Sequence, residues 1–203
     1  MNNVYLKAWH GGLGDALQFS TLPEEFEKQQ GRKTYIVADA PFRNEGIYDL
    51  VWDKNPYVLG KKFGEWNAGD LPSIPYREDG FLEENGTGNM IPNWEKFHGL
   101  KPTNKYPKVY YEPEKDKGVK DLFIVDFTST TVSDNREDVI KCLKQIRNEY
   151  PDRKFVSVSF EDITPTKDLS DDIKFDGYIE VENIFRYCDL ISSVYGYVSL
   201  HSG

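Results

Sequence analysis

Cysteine, methionine, histidine and long apolar runs are all scarce in this chain, and positive charge is outnumbered by negative. Its two cysteines, Cys142 and Cys188, are too few for a disulfide framework or a zinc site. Both fall on predicted helices, where small buried thiols are common. No stretch approaches the roughly 20 apolar residues of a membrane span. The opening MNNVYLKAW lacks the basic start, apolar centre and small-residue cleavage site of a secretory signal, so a cytoplasmic location is expected. The 25 Lys plus Arg against 34 Asp plus Glu leave a net charge of -9, which repels phosphate backbones and anionic lipid surfaces. Nucleic acid is therefore disfavoured as a partner, and peripheral membrane contact stays open only through a local site.

What is present points to a folded α/β protein. At 203 residues, 38% hydrophobic and 14% aromatic, the chain is too apolar for disorder and long enough for one large domain or two small ones. Its first segment reads as strand VYLKAW, loop HGGLGD, helix ALQFSTLPEEFEKQQ and strand KTYIVAD. Gly31 is placed to cap that helix, and Thr21 with Glu24 fits a capping box. Pro23 removes a helical hydrogen bond, so a kink or restart is predicted near Thr21.

From about residue 52 to 113 the character changes, because seven of the eleven prolines fall there with Trp52, Phe63, Trp66, Phe81, Trp94 and Phe97. Such a region reads as loop-rich and held by aromatic packing, with an aromatic surface for stacking on sugar rings as the functional alternative. Alternation resumes with strand DLFIVDF, a helix from about Asp134 with Val139, Leu143, Ile146 and Tyr150 on one face, strand KFVSVSF and strand GYIEV. A short helix around ENIFRYCD and a strand LISSV follow. Strands alternating with helices in both halves argue for parallel sheets, with EPEKDKG, residues 112 to 118, as the hinge.

The glycine loop carries the strongest chemical signal. A bare backbone opening a helix lets amide groups and the positive helix end approach an anion. Gly12 and Gly14 fit the first two positions of a dinucleotide fingerprint and Asp39 fits its ribose-binding acid, but Leu17 stands where a third small residue belongs. The triphosphate-binding loop is absent, since no lysine follows the glycines before a Ser or Thr. Asp15 reads either as the helix N-cap, worth about 1 kcal/mol, or as a general base at the mouth of a cleft. A helix N-terminus lowers a carboxyl pKa, so the second role requires compensating burial.

At these residues the chain resembles a known family. GGLGDALQFSTLP after an N-terminal strand is similar to the start of glycosyltransferase family 9, the lipopolysaccharide heptosyltransferase-like enzymes. DLFIVDFTSTTVSDNREDVIKCLKQIRNEYPDRKFVSVSF resembles the opening of that family's donor domain, and IFRYCDLISSVYGYVSLHSG its late segment. The likeness spans about residues 4 to 40 and 121 to 203, and the aromatic middle matches nothing in it. It implies two Rossmann-like parallel-sheet domains in the GT-B arrangement. Residues 1–115 would be the acceptor side, and 116–203 an incomplete nucleotide-sugar-binding domain.

By the same resemblance Asp15 is the catalytic base, Gly12 and Gly14 line the substrate side, and Thr128, Ser129, Thr130, Ser202 and Gly203 bind the donor diphosphate; His10, from its place beside the glycine loop, is a candidate substrate contact. The implied partners are a nucleotide-sugar donor and a glycan or glycolipid acceptor, with no cofactor. Two aspartates separated by one residue, the metal–diphosphate clamp of the other large glycosyltransferase fold, do not occur, which agrees with metal-independent transfer. The chain departs from the family in lacking a basic residue in the donor loop before Arg136, and in ending at the Ser-Gly turn before the family's last helix and histidine. The Ser/Thr loop also reads as ordinary turn chemistry, and His201 as a capping or packing residue. A dinucleotide-dependent oxidoreductase and a non-catalytic carbohydrate- or nucleotide-binding fragment remain the alternatives.

Overall fold

The computed structural model describes residues 3–7, 12–37, 45–62, 90–126, 136–160 and 172–199. The chain divides into two compact units, Met1–Tyr111 and Glu112–Gly203, each containing one parallel sheet.

In the first unit β1 (Val4–Lys7), β2 (Thr34–Val37) and β3 (Val58–Lys62) lie side by side in that order, all parallel. β3 falls inside the region expected to be loops. It carries a register shift opposite Thr34 and Tyr35 and leaves Leu59 exposed. At an edge, among the described residues, a short irregular strand with two lysines is tolerated, and that irregularity hides it from pattern reading. β1 continues through α1 (Leu13–Phe19) and α2 (Leu22–Gln30). The predicted restart is observed: Pro23 has no N–H to offer the carbonyl of Phe19, where α1 ends. Gly31 closes α2 with φ 64°, the left-handed conformation that favours glycine.

The capping box is not formed. Thr21 Oγ1 instead donates to Glu95 Oε1 at 2.9 Å, and Glu24 is occupied by Lys28, Lys108 and Tyr110. Glu95 belongs to α4 (Met90–Phe97), which follows the short α3 (Glu45–Tyr48) in the described helices and packs on α1 and α2. Trp52 and Trp94 are core residues, so neither ring is free to stack on a sugar. The indole of Trp94 lies 4.8 Å from the Phe19 ring and donates to Gln18 Oε1 at 3.3 Å. Phe63, Trp66 and Phe81 lie outside the described residues.

Residues 100–110 have no regular secondary structure, yet the buried carboxylates hold them. Glu95 Oε2 accepts from the Thr103 amide at 2.7 Å, and its Oε1 accepts from Asn104 Nδ2 at 2.7 Å. Glu25 accepts from the same Asn104 amide at 2.9 Å. Gln29 donates to the Lys101 carbonyl at 2.9 Å and accepts from the Lys101 amide at 2.8 Å. The segment thus trades strand or helix pairing for side-chain partners.

The second unit is three-layered. β4 (Leu122–Asp126), β5 (Lys154–Phe160), β6 (Gly177–Val181) and β7 (Gly196–Ser199) form a parallel sheet in the order β6-β5-β4-β7. Alternation sorts β4 onto two cores. Phe123 and Val125 join Leu143 of α5 (Arg136–Glu149), while Ile124 joins Val156 and Val158 on the face packed by Tyr187 and Leu190 of α6 (Ile184–Ser193). Burial on both faces is the rule for parallel sheets, and it explains the nearly unbroken apolar run LFIV of β4.

The second unit departs from expectation in its last strand and in its cysteines. LISSV is not a strand: Leu190–Ser193 complete α6, whose Asn183 N-cap accepts from the amides of Phe185 and Arg186 at 3.1 and 3.0 Å. The strand is the next segment, where Gly196 looks out of place until its surroundings are seen. A Cβ there would come within 2.2 Å of the Phe123 ring, which stacks at 5.0 Å on Phe155. Cys142, lastly, is exposed and Cys188 half-buried, because the apolar stripe of α5 runs through Val139, Leu143 and Ile146 and leaves Cys142 outside it.

Gly196→Ala should destabilise the protein by about 1–3 kcal/mol through overpacking, read as a lowered denaturation midpoint by far-ultraviolet circular dichroism. A second outcome concerns acid. Burial opposes ionisation of Glu24, but the Lys108 and Lys28 ammoniums and the Tyr110 hydroxyl outweigh it and hold its carboxyl at about 2 against an ordinary 4.5. The contribution of Glu24 is therefore full above pH 4.5 and is lost as pH falls toward 2. Burial lowers His98 to about 4 from 6.5, so the unfolded chain takes up its proton first and stability falls between those two values. All four tryptophans lie in Met1–Tyr111, so tryptophan-monitored unfolding reads this unit. His98→Phe should flatten the pH dependence between 6.5 and 4 and leave the Glu24 limb.

Candidate functional site

The strand order of the second unit defines where a ligand has room. From β4 the chain steps to β5 and then β6 on one side, then returns through α6 to place β7 on the other side of β4. β4 sits where the strand order reverses, with α5 and α6 on opposite faces, and in open parallel sheets such a point, here the carboxyl ends of β4 and β7, is where a ligand crevice is expected.

Asp126 and Ser199, the last residues of the two strands, are register partners there. The period of two puts Ile124, Asp126, Tyr197 and Ser199 on the α6 face. Asp126 is 7% exposed, and the Tyr187 hydroxyl donates to its Oδ2. The Tyr187 and Tyr197 hydroxyl oxygens are 2.7 Å apart. Tyr187 is positioned by Phe160 at the end of β5, ring on ring at 5.3 Å, and stands edge-on to Tyr197. Burial and then the charge of Asp126 push the Tyr187 phenol well above its usual range, and burial raises Tyr197. Both are proton-bearing hydrogen-bond groups.

In the first unit α1 starts earlier in the glycine stretch than the sequence reading expected. Gly12 is the N-cap, in extended backbone at φ −82° and ψ 153°, and its carbonyl accepts from the Ala16 amide at 3.0 Å. The helix therefore starts at Leu13. Gly14 belongs to the helix and not to the loop, and Asp15 is its third residue and not its cap. The apparent cap position at Asp15 misleads because Gly12, without a side chain, already takes the extended conformation that a helix start needs. The Asp15 carboxylate lies outside what the structure describes, as do His10 and Asp39.

Thr128, Ser129, Thr130, Ser202 and Gly203 also lie outside the described residues. Thr128 is two residues beyond Asp126 and Ser202 three beyond Ser199, so each predicted donor segment follows one of the two strands bordering the crevice. Compared with known proteins, the chain matches no family model, no curated protein and no solved structure. Among the described residues no group of three or more His, Cys, Asp or Glu could hold a metal ion, and no helix is long and apolar enough to cross a membrane.

Asp126, Tyr187, Tyr197 and Ser199 escaped the sequence reading. One signal was present: a carboxylate closing the apolar run LFIVD at the end of a parallel strand. The tyrosines had none, since Tyr187 reaches Asp126 across 61 positions of sequence. Tyr187→Phe should cost about 2 kcal/mol, the loss of a hydrogen bond to a charged group, measured as a fall in unfolding free energy by circular dichroism.

Proposed function

We propose that the protein is a GT-B type glycosyltransferase that moves a sugar from a nucleotide-diphosphate donor to an acceptor hydroxyl with inversion. The observation that supports this best is the parallel β6-β5-β4-β7 order, the arrangement that accommodates nucleotides at the strand carboxyl ends, with polar side chains at that point. In this reading the second unit holds the donor. The acceptor hydroxyl, on a glycan or glycolipid, lies against the β1–α1 turn of the first unit.

The acceptor oxygen attacks the anomeric carbon from the face opposite the diphosphate. A new C–O bond forms as the bond to the diphosphate oxygen breaks. Asp15 takes the hydroxyl proton, and the departing diphosphate carries away the bonding electron pair. Growing charge on the diphosphate is met by hydroxyl and amide donors of Thr128–Thr130 and Ser202–Gly203, the kind of preorganised stabilisation that dominates such reactions.

With a panel of nucleotide-sugars and water or a glycan as acceptor, release of nucleoside diphosphate should be measurable. Asp15→Asn should lower that rate by about 10²–10⁴-fold with an unchanged melting temperature. Wild-type turnover in the variant would remove Asp15 from the mechanism.

A further inference from the structure

The hydrogen-bond directions at the β4–β7 crevice specify what that corner can receive. Tyr187 has one hydroxyl proton, and it is given to Asp126. The Tyr197 oxygen is 2.7 Å from that of Tyr187, and Tyr197 is hydrogen-bonded to Asp126 as well, so its proton too is directed inward. Ser199 is also hydrogen-bonded to Tyr197. Both phenolic protons are thus committed toward the carboxylate, and Tyr197, 39% exposed beside an exposed Ser199, presents oxygen lone pairs outward.

We infer that Asp126, Tyr187, Tyr197 and Ser199 form a subsite for a hydroxyl group of the ligand, which donates to Tyr197, and that this corner rejects phosphate. A phosphate oxygen offers only acceptors and would meet lone pairs backed by a buried carboxylate. A sugar or ribose hydroxyl offers a proton and completes a chain of donors ending on Asp126, in which each bond polarises the next. The inference rests on the proposed nucleotide-sugar reading for the ligand that brings the hydroxyl. That hydroxyl belongs either to the ribose or to the transferred sugar.

Calorimetric titration of the full chain with ADP, GDP, CDP and UDP, the 2′-deoxy forms of each, and ADP-glucose, GDP-mannose and UDP-glucose tests the assignment. Tyr197→Phe keeps the ring and removes the hydroxyl, and circular dichroism checks its fold. If the ribose supplies the hydroxyl, Tyr197→Phe weakens both diphosphate and nucleotide-sugar about 10-fold, and the deoxy forms bind both proteins equally if it is the 2′-hydroxyl but weaken alike if it is the 3′-hydroxyl. If the transferred sugar supplies it, only the nucleotide-sugar weakens. Ribonucleotide, deoxynucleotide and nucleotide-sugar affinities that are all unchanged by Tyr197→Phe would overturn the subsite and leave the donor reading standing. Should a misfolded Tyr197→Phe obscure this, Ser199→Ala serves in its place with a smaller loss on the same ligands, and unchanged affinities there likewise overturn the subsite. Failure of every nucleotide and nucleotide-sugar to bind the unmodified chain would overturn both.

Discussion

Two strands that run parallel cannot be joined by a tight turn, so each parallel neighbour in this protein demands a crossover that lies on one face of the sheet. That constraint shapes the second unit. α5 occupies one face, α6 the other, and strands β4 and β5 bury side chains on both. The reversal that brings β7 back beside β4 sets their carboxyl ends side by side. The proposed subsite depends on that placement, because it is what brings the strand ends to a side chain of α6.

The buried carboxylates of the two units illustrate how one chemical group serves different ends. Glu24, Glu25 and Glu95 are surrounded by ammonium, amide and hydroxyl donors that come from Thr21, α2 and residues 103–110. Their hydrogen bonds are used within the protein, and they hold an irregular segment in place of a strand or helix. Asp126 is buried to a similar degree, but its phenolic partners lead outward to an exposed tyrosine. The first set is closed on itself and acts on stability. The second leaves an acceptor at the surface, where a ligand can meet it.

Packing also explains sequence choices that look contradictory in isolation. Gly196 begins a strand although glycine weakens strands, because the stacked Phe123 and Phe155 rings take the space of its Cβ. Tyr150 and Tyr195 pack around the same Phe123 at 5.0 and 5.4 Å, so the aromatic cluster and the missing side chain are one arrangement.

Local physics made much of the fold legible. β5 and β6 have the bounds read from their apolar runs, and the stripe Val139, Leu143 and Ile146 faces the core as its spacing requires. Gly31 and Pro23 act where their backbone chemistry says they must. Such features depend on residues within a few positions of one another, which is why the sequence by itself determined them. Tertiary contact decided the rest. Thr21 left its capping box for Glu95, which is 74 positions away, and β3 exists because β2 offers it an edge. The meeting of Asp126 with Tyr187 and Tyr197 arises only when the chain crosses back over β4, and no local pattern records how a crossover will bring distant side chains within hydrogen-bonding distance.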